Sequence, residues 1–418
     1  MFGNAVGDAL IWFACSMNAL QSTTKEDARA GRRQPVILQV LPALSTGGVE
    51  RGTVDVAAAI VQAGWTSLVA SSGGPMVREL ERAGARHIEL PLHSKNPLVM
   101  FRNVGRLAEV IREHGVDLVH ARSRAPAWSA MAAANRTGVH FITTFHGTYN
   151  LGLWGLKQKY NAVMAQGERV IAISNFIAEH LHSVYNVDPA RIRVIHRGVD
   201  VSRLDPSRIS AERIIQLVRQ WRLPEGARVI MLPGRLTRWK GQSVLIDALA
   251  LLGRKDIRCM LVGSDQGRSK YRQELIDRIR ARDLTEVVHL TDQCNDMPAA
   301  YKLSDLVVSA STDPEAFGRV VVEAQAMGRP VIASAHGGAA ETVVHGETGW
   351  LVPPGDPRAL AEALEAALCL PEPHRAWMSE NAMAHVRTHF SREDMCAHTL
   401  GVYAELIDVQ TVAAAETG

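Results

Sequence analysis

The chain has 418 residues, 47% apolar and only 5% aromatic, with a formal net charge of +3. That length exceeds one ordinary domain and makes two domains the default, each with enough apolar residues for its own core. The near balance of charge excludes a dedicated nucleic-acid binder, and five cysteines without a C-x-x-C pair point to neither a zinc site nor a disulfide framework, so a reduced cytoplasm is the expected setting.

In chain order, residues 1–34 read as a leader outside the fold. Their apolar stretch, 9–20, falls short of the roughly 18 residues of a membrane span. No cationic segment precedes it, so it is a poor signal peptide. From Pro35 onward short β-rich runs alternate with helical patterns. Strands are predicted at 36–41, 67–70, 87–90, 117–121, 140–145, 169–173 and 191–195, with helices between, including 158–166. After a junction at 198–206 the pattern restarts with a helix at 208–220. Strands follow at 228–232, 258–262, 287–290, 305–309, 331–333 and 350–352. Continuous apolar strands separated by helices indicate parallel sheets covered on both faces. The expected fold class is therefore α/β, with one sheet in residues 35–200 and a second in 201–389. Their carboxyl strand ends, where ligands bind, face one cleft. Residues 390–410 read as a final helix and 411–418 as a low-complexity, disordered tail.

Familiar phosphate motifs are missing. No two glycines stand in G-x-G spacing and no G-x-x-x-x-G-K-[ST] occurs, so neither the dinucleotide fingerprint nor the P-loop is present. No two aspartates stand in D-x-D spacing to grip a metal-bound diphosphate. A diphosphate would have to be held by cationic side chains and backbone amides.

The most informative stretch is 314–342, PEAFGRVVVEAQAMGRPVIASAHGGAAET. Glu315 and Glu323 lie eight residues apart, about 80° around one continuous helix. They share a cleft more easily if Glu315 sits on a loop and Glu323 in the first helical turn. A carboxylate accepts hydrogen bonds from two adjacent hydroxyls, and sugars and ribose both present such pairs. Upstream, Gly234-Arg235-Leu236-Thr237-Arg238-Trp239-Lys240-Gly241 follows a strand and precedes a helix. Arg235 offers a planar fork and Lys240 a point charge. Both suit a diphosphate leaving group whose charge grows as a sugar bond breaks.

The E-x7-E element, the G-R-x4-K-G element and Gly337-Gly338-x-x-Glu341-Thr342-Val343 together resemble the retaining glycosyltransferases of family 4, over residues 35–410. The resemblance implies the GT-B fold: two Rossmann-like domains, acceptor in the first and donor in the second, with the final helix crossing back to the first. It implies a nucleotide-diphosphate sugar as co-substrate, no cofactor or metal, and transfer with retention to a hydroxyl. By the same resemblance Glu315 contacts the transferred sugar, Glu323 the ribose, and Arg235 and Lys240 the diphosphate, with the amides of Phe317 and Gly318 beside phosphate and sugar. Gly47-Gly48 resembles the glycine loop that approaches the donor phosphate. His146 matches the histidine beside the reacting sugar and is assigned, with Glu315, to the catalytic centre as an orienting group. Ser94-Lys95-Asn96-Pro97 and 117–124 resemble the subgroup acting on lipopolysaccharide core. That subgroup implies a glycan or glycolipid acceptor and contact with the cytoplasmic face of the inner membrane. Where the family has glycine after the strand 287–290, this chain has Thr291-Asp292-Gln293-Cys294, which leaves the base open.

Other readings stand beside these. Each acid alone reads equally as a solvated helix-start residue, and Glu341 as a helix cap. His120 and His196 read as structural. The stretch 150–166, with Trp154, Lys157, Lys159 and Tyr160, suits a lipid-facing surface or an inward-packed loop and helix. Two rival functions share the architecture: a nucleotide-sugar 2-epimerase, and a non-catalytic nucleotide-sugar-binding protein.

Overall fold

A computed structural model describes residues 33–45, 47–149 and 156–416. The expected leader through residue 32, positions 150–155 of the candidate lipid-facing stretch, and 417–418 lie outside the described residues. The first half runs β1 (Val36–Val40), α1 (Gly48–Gln62), β2 (Thr66–Ser71), α2 (Val77–Arg82), β3 (Arg86–Glu89), α3 (Pro97–His114), β4 (Leu118–Ala121), α4 (Arg124–Thr137), β5 (His140–Phe145), α5 (Leu156–Asn161), β6 (Val170–Ala172), α6 (Asn175–Tyr185) and β7 (Ile192–Val194). The second half runs α7 (Ala211–Trp221), β8 (Arg228–Pro233), α8 (Gln242–Leu252), β9 (Ile257–Val262), α9 (Ser269–Ala281), β10 (Val288–Thr291), α10 (Met297–Leu303), β11 (Leu306–Ser309), α11 (Arg319–Ala326), β12 (Val331–Ser334), β13 (Gly349–Val352), α12 (Pro357–Leu368), α13 (Glu372–His389) and α14 (Arg392–Glu416).

The first sheet has the order β3-β2-β1-β4-β5-β6-β7 and the second β10-β9-β8-β11-β12-β13. Every pair is parallel. Strand order reverses beside β1 in one sheet and beside β8 in the other, and the crevice at such a switch point is where open α/β sheets take ligands. All thirteen predicted strands form, with ends shifted by at most one residue. They are legible because they are buried on both faces: β1, β4, β11 and β12 are buried at every position.

The helices depart more. The expected helix 158–166 is α5 followed by a 3₁₀ turn at Ala162–Ala165. Helix α13 has no counterpart in the sequence reading. It buries only Met378, Ala382 and Val386, one residue per turn, too narrow a stripe for periodicity to show. Helix α14 extends through 411–416, where the sequence predicts a disordered tail. Its residues Cys396, Val402, Tyr403 and Leu406 pack against Ile37, Val56, Ile60, Leu118, Ile142, Ile171 and Ile195 of the first domain.

Two chain crossings join the domains and run side by side. Val199 N donates to Phe390 O at 2.9 Å, Arg392 N donates to Val199 O at 2.9 Å, and Arg392 pairs with Asp200 at 2.7 Å. The described residues from Val36 onward accordingly pack as one compact unit containing both sheets.

Candidate active site

In the second domain the loop after β8 closes on the loop after β11. Gly241 sits between them with φ of +72°, and a Cβ there would lie 1.7 Å from Ala310 O, so only glycine fits. That close approach brings Lys240 to Glu315: Nζ donates to Oε1 at 2.8 Å, with the side chains 12% and 11% exposed. The hydroxyls of Ser309, at 3.2 Å, and Ser311 donate to the same oxygen. Burial alone would raise the Glu315 pKa. The Lys240 ammonium and the two hydroxyls outweigh it and hold the carboxyl below its ordinary value, so it stays ionised. The Lys240 ammonium also lies 4.6 Å from the centre of the Trp239 ring. Arg235 heads the same loop. Its side chain is exposed and makes no hydrogen bond or ion pair among the described residues, while its carbonyl accepts from Gln242 Nε2 at 2.9 Å.

Glu315 lies on the loop before α11, as expected, but Glu323 is the fifth residue of that helix and stands in its second turn rather than its first, because the helix begins only at Arg319. Glu323 Oε1 accepts from Arg319 Nε at 2.7 Å and its Oε2 from the buried Tyr301 hydroxyl at 2.8 Å. Gly318 caps α11 with φ of +82°, and a Cβ there would sit 2.9 Å from Ala339. The Phe317 side chain is buried and packs edge-on to Phe390, ring centres 5.7 Å apart.

In the first domain the carboxyl ends of β1, β4, β5 and β7 supply Gly47-Gly48, Arg122, His146 and Arg197. Arg197 is the junction. Its Nη1 donates to Gly48 O at 2.6 Å and its Nη2 contacts His146 Nδ1 at 2.8 Å. The Nε2 atom of His146 is shielded and has no partner among the described residues. Burial, then Arg197, Arg122 and His120, push the His146 pKa well below its ordinary value, so the ring is neutral. Burial, then Arg122 and Arg319, bring Arg197 down to about 9. Arg122 is 5% exposed, and its Nε has no hydrogen-bond partner among the described residues.

Contacts between the domains bring the two sets together. A Cβ on Gly48 would lie 2.9 Å from Arg197 Nη1 and 3.6 Å from Arg319 Nη1, and one on Gly147 3.9 Å from Ala316 Cβ. Ser174 Oγ donates to Ala316 O at 2.7 Å. Glu341 caps α6 of the opposite domain: its Oε1 accepts from Phe176 N at 2.7 Å, and its Oε2 from Asn175 N at 2.8 Å and Asn175 Nδ2 at 3.0 Å. His196 Nε2 reaches the same Oε2 at 3.0 Å.

The structure thus joins Lys240 to Glu315, places Glu323 on the next helix, and sets Gly48 and His146 opposite through Arg197. Gly47 precedes α1 in extended backbone, with φ of 178°, and is exposed. The sequence reading did not single out Arg122, Arg197, Arg319 or Tyr301. Arg197 carried one usable signal: like His146, it follows a strand at its carboxyl end. His120 is structural as expected, with Nδ1 and Nε2 each 2.7 Å from a hydroxyl, of Tyr403 and Thr144.

Two parallel sheets whose strand ends face each other across this set of acids and cations define a glycosyltransferase of the GT-B class. Its second half matches the model described as glycosyl transferases group 1 over residues 214–385, and its first half that of glycosyltransferase family 4 over residues 46–203. The chain belongs to that family of glycosyltransferases. It is similar to the D-inositol 3-phosphate glycosyltransferase of Salinispora tropica, 32% identical over 72% of this chain and 66% of that protein. The match thus spans just under two thirds of that relative's length. Among solved structures, a glycosyltransferase from Rickettsia africae is 38% identical over 90% of this chain and 99% of its own, with a TM-score of 0.83. The Anabaena protein HepE, solved in complex with UDP and glucose, is 25% identical over 89% of this chain and 100% of its own, with a TM-score of 0.75.

Proposed function

We propose that the chain moves a glycosyl group, with retention, from a nucleoside-diphosphate sugar to a hydroxyl of a glycan or glycolipid. The observation that carries this reading is the buried Lys240–Glu315 pair, which sets a cation and an ionised acid side by side at one cleft. An ionised carboxylate only accepts hydrogen bonds, and an ammonium has three donors, so Lys240 can hold Glu315 and still donate to a phosphate. Glu315 would take sugar hydroxyls, Glu323 the ribose, and Arg235 with Lys240 the diphosphate, with the amides of Phe317 and Gly318 beside it. Gly47 and Gly48 leave room for phosphate from the opposite side, and His146 orients the sugar. Charge developing on the leaving diphosphate is then met by fixed cations rather than a metal ion. Uridine is the first base to test, since HepE was solved with UDP.

The acceptor side is supported by Leu98 and Phe101, 70% and 78% exposed at the head of α3, with Lys95 and Arg102 exposed beside them. Apolar anchors ringed by cations suit an anionic membrane surface and a lipid-linked acceptor. The relatives' name makes a phosphorylated cyclitol the second acceptor to try, beside the lipopolysaccharide-core glycan of the sequence reading.

The test is a thermal-shift screen of uridine, guanosine and adenosine diphosphate sugars, followed by NMR of the stabilising donor with and without acceptors. One donor is expected to raise the melting temperature, because a ligand at about 100 times its Kd adds about 2.7 kcal/mol. Product should form only with acceptor and keep the donor's anomeric configuration. An epimer formed without acceptor would establish the 2-epimerase instead, and binding without product across all acceptors the non-catalytic protein.

A further inference from the structure

We propose that Arg197 is a positioning residue that fixes His146 as the neutral tautomer protonated at Nε2, and so keeps an unfilled N–H donor for an oxygen of the bound sugar. The second half of this statement rests on the transfer reading above; the first half does not.

The contact itself dictates the tautomer. A guanidinium donates hydrogen bonds and accepts none. At 2.8 Å from Arg197 Nη2, His146 Nδ1 must therefore offer its lone pair. The ring cannot be an imidazolium while that contact stands, and a neutral ring then carries its proton on Nε2. Nε2 is shielded from solvent and has no acceptor among the described residues. Most buried N–H groups are paired; since His140, His180 and His385 also have an Nε2 without a partner among the described residues, it is the place of His146 Nε2, at the carboxyl end of β5 beside the Gly48 loop, that points to a ligand atom. His120, on the neighbouring strand β4, provides the contrast: both its nitrogens are filled, by Tyr403 and Thr144.

Arg197 is not explained by a structural role. Its two hydrogen-bond partners, Gly48 O and His146 Nδ1, are both neutral. Its charged neighbours are Arg122 and Arg319, which disfavour it, and Glu50, which favours it from nearby without a hydrogen bond to it. A buried guanidinium kept for stability alone would normally hold a carboxylate. Gly48 makes room for the arrangement, because a Cβ there would meet Arg197 Nη1 at 2.9 Å. The groups facing His146 are Arg197 after β7 and Arg122 and His120 at the end of β4, and all three oppose its protonation.

The test uses the full chain labelled with ¹⁵N at histidine, without substrate. The His146 signals are those lost in His146→Asn. Long-range proton–nitrogen spectra of the native protein should show a protonated Nε2 and an unprotonated Nδ1, unchanged from about pH 6 to about pH 8, where a free histidine titrates. In Arg197→Gln, whose amide can also accept, the tautomers should mix. Its kcat should fall about 10-fold or more, short of the roughly 100- to 1,000-fold lost when one oriented donor to a reacting centre is removed outright, because one of the two tautomers still donates, with the donor KM nearly unchanged. Arg197→Lys, which still donates, should recover most of the rate and the single tautomer. A native proton on Nδ1, or titration near the ordinary value, overturns the proposal whether or not Arg197→Gln folds. So does a tautomer unchanged in Arg197→Gln. Native tautomer as stated but full transfer rate in His146→Asn overturns the sugar-binding half alone, while failure of the transfer reading itself shows in the donor screen.

Discussion

Replacing Lys240 with methionine keeps the length of the side chain and removes its charge, leaving the Glu315 carboxylate 11% exposed and held only by Ser309 and Ser311. Breaking a buried pair by deleting one partner costs about 3–5 kcal/mol. The two hydroxyls remain and solvate the acid in part, at about 1 kcal/mol each. The expected loss is therefore about 1–3 kcal/mol at neutral pH, read as a lower midpoint in urea unfolding. Glu315→Gln together with Lys240→Met should recover much of it, because the two substitutions act on one interaction.

The pH dependence has a definite sign. In the native protein Glu315 titrates below its ordinary value of 4.5. Its contribution is fully present above that value and is lost as pH falls through the lower folded one. In Lys240→Met burial dominates and the carboxyl titrates above 4.5, so protonation relieves the variant as pH falls through that raised value. The stability gap between the two proteins should shrink steadily from pH 7 toward pH 4. Turnover in the transfer assay should drop about 10- to 100-fold, the loss of one charge-assisted contact. A gap under about 0.5 kcal/mol, within the usual range of surface substitutions, or a gap constant with pH, would refute the account of the pair.

Glu341→Ala removes a cap that one domain lays on a helix of the other, so it should cost about 1 kcal/mol and enlarge the radius of gyration in solution scattering at neutral pH. The native carboxyl, which burial would raise but His196 and the Asn175 and Phe176 amides hold low, should keep its contact above 4.5 and lose it only as pH falls further; identical scattering curves would count against it. Phe101→Ser should weaken sedimentation with vesicles rich in anionic lipid without changing the melting temperature, since this side chain is 78% exposed, and equal sedimentation would remove α3 from membrane contact.

The sequence reveals what is local or continuous. Runs such as Val36–Val40 declare themselves because every position is buried. Lys240 and Glu315 were legible as members of short motifs, each on a loop after a strand. Arg197 was not: it lies 51 residues from His146 and 149 from Gly48, and only the order β1-β4-β5-β6-β7 sets those strand ends in one row. Glu341 was readable as a cap but not as the cap of a helix beginning 166 residues earlier. Helix-end chemistry is visible in a sequence when cap and helix are neighbours, and lost when a domain interface brings them together.

The distribution of charge connects these points. In the second domain Lys240 is matched by Glu315 and Arg319 by Glu323, while the exposed Arg235 pairs with no acid among the described residues. The first-domain guanidinium at the cleft, Arg197, hydrogen-bonds to no acid. Glu315 is thus held ionised by its partners, while Arg197 on the opposite wall has no acid hydrogen-bonded to it, in surroundings where low dielectric makes its charge count most. Arg319 belongs to one domain and comes within 3.6 Å of where a Cβ on Gly48 of the other would stand. The spacing of the two walls is therefore set neither by the β1 end nor by the β11 end alone. It is set by the bonds that tie the domains: Ser174 to Ala316, and Glu341 to Asn175, Phe176 and His196. Substitutions at those ties, though remote from the acids, should act on the rate through that spacing.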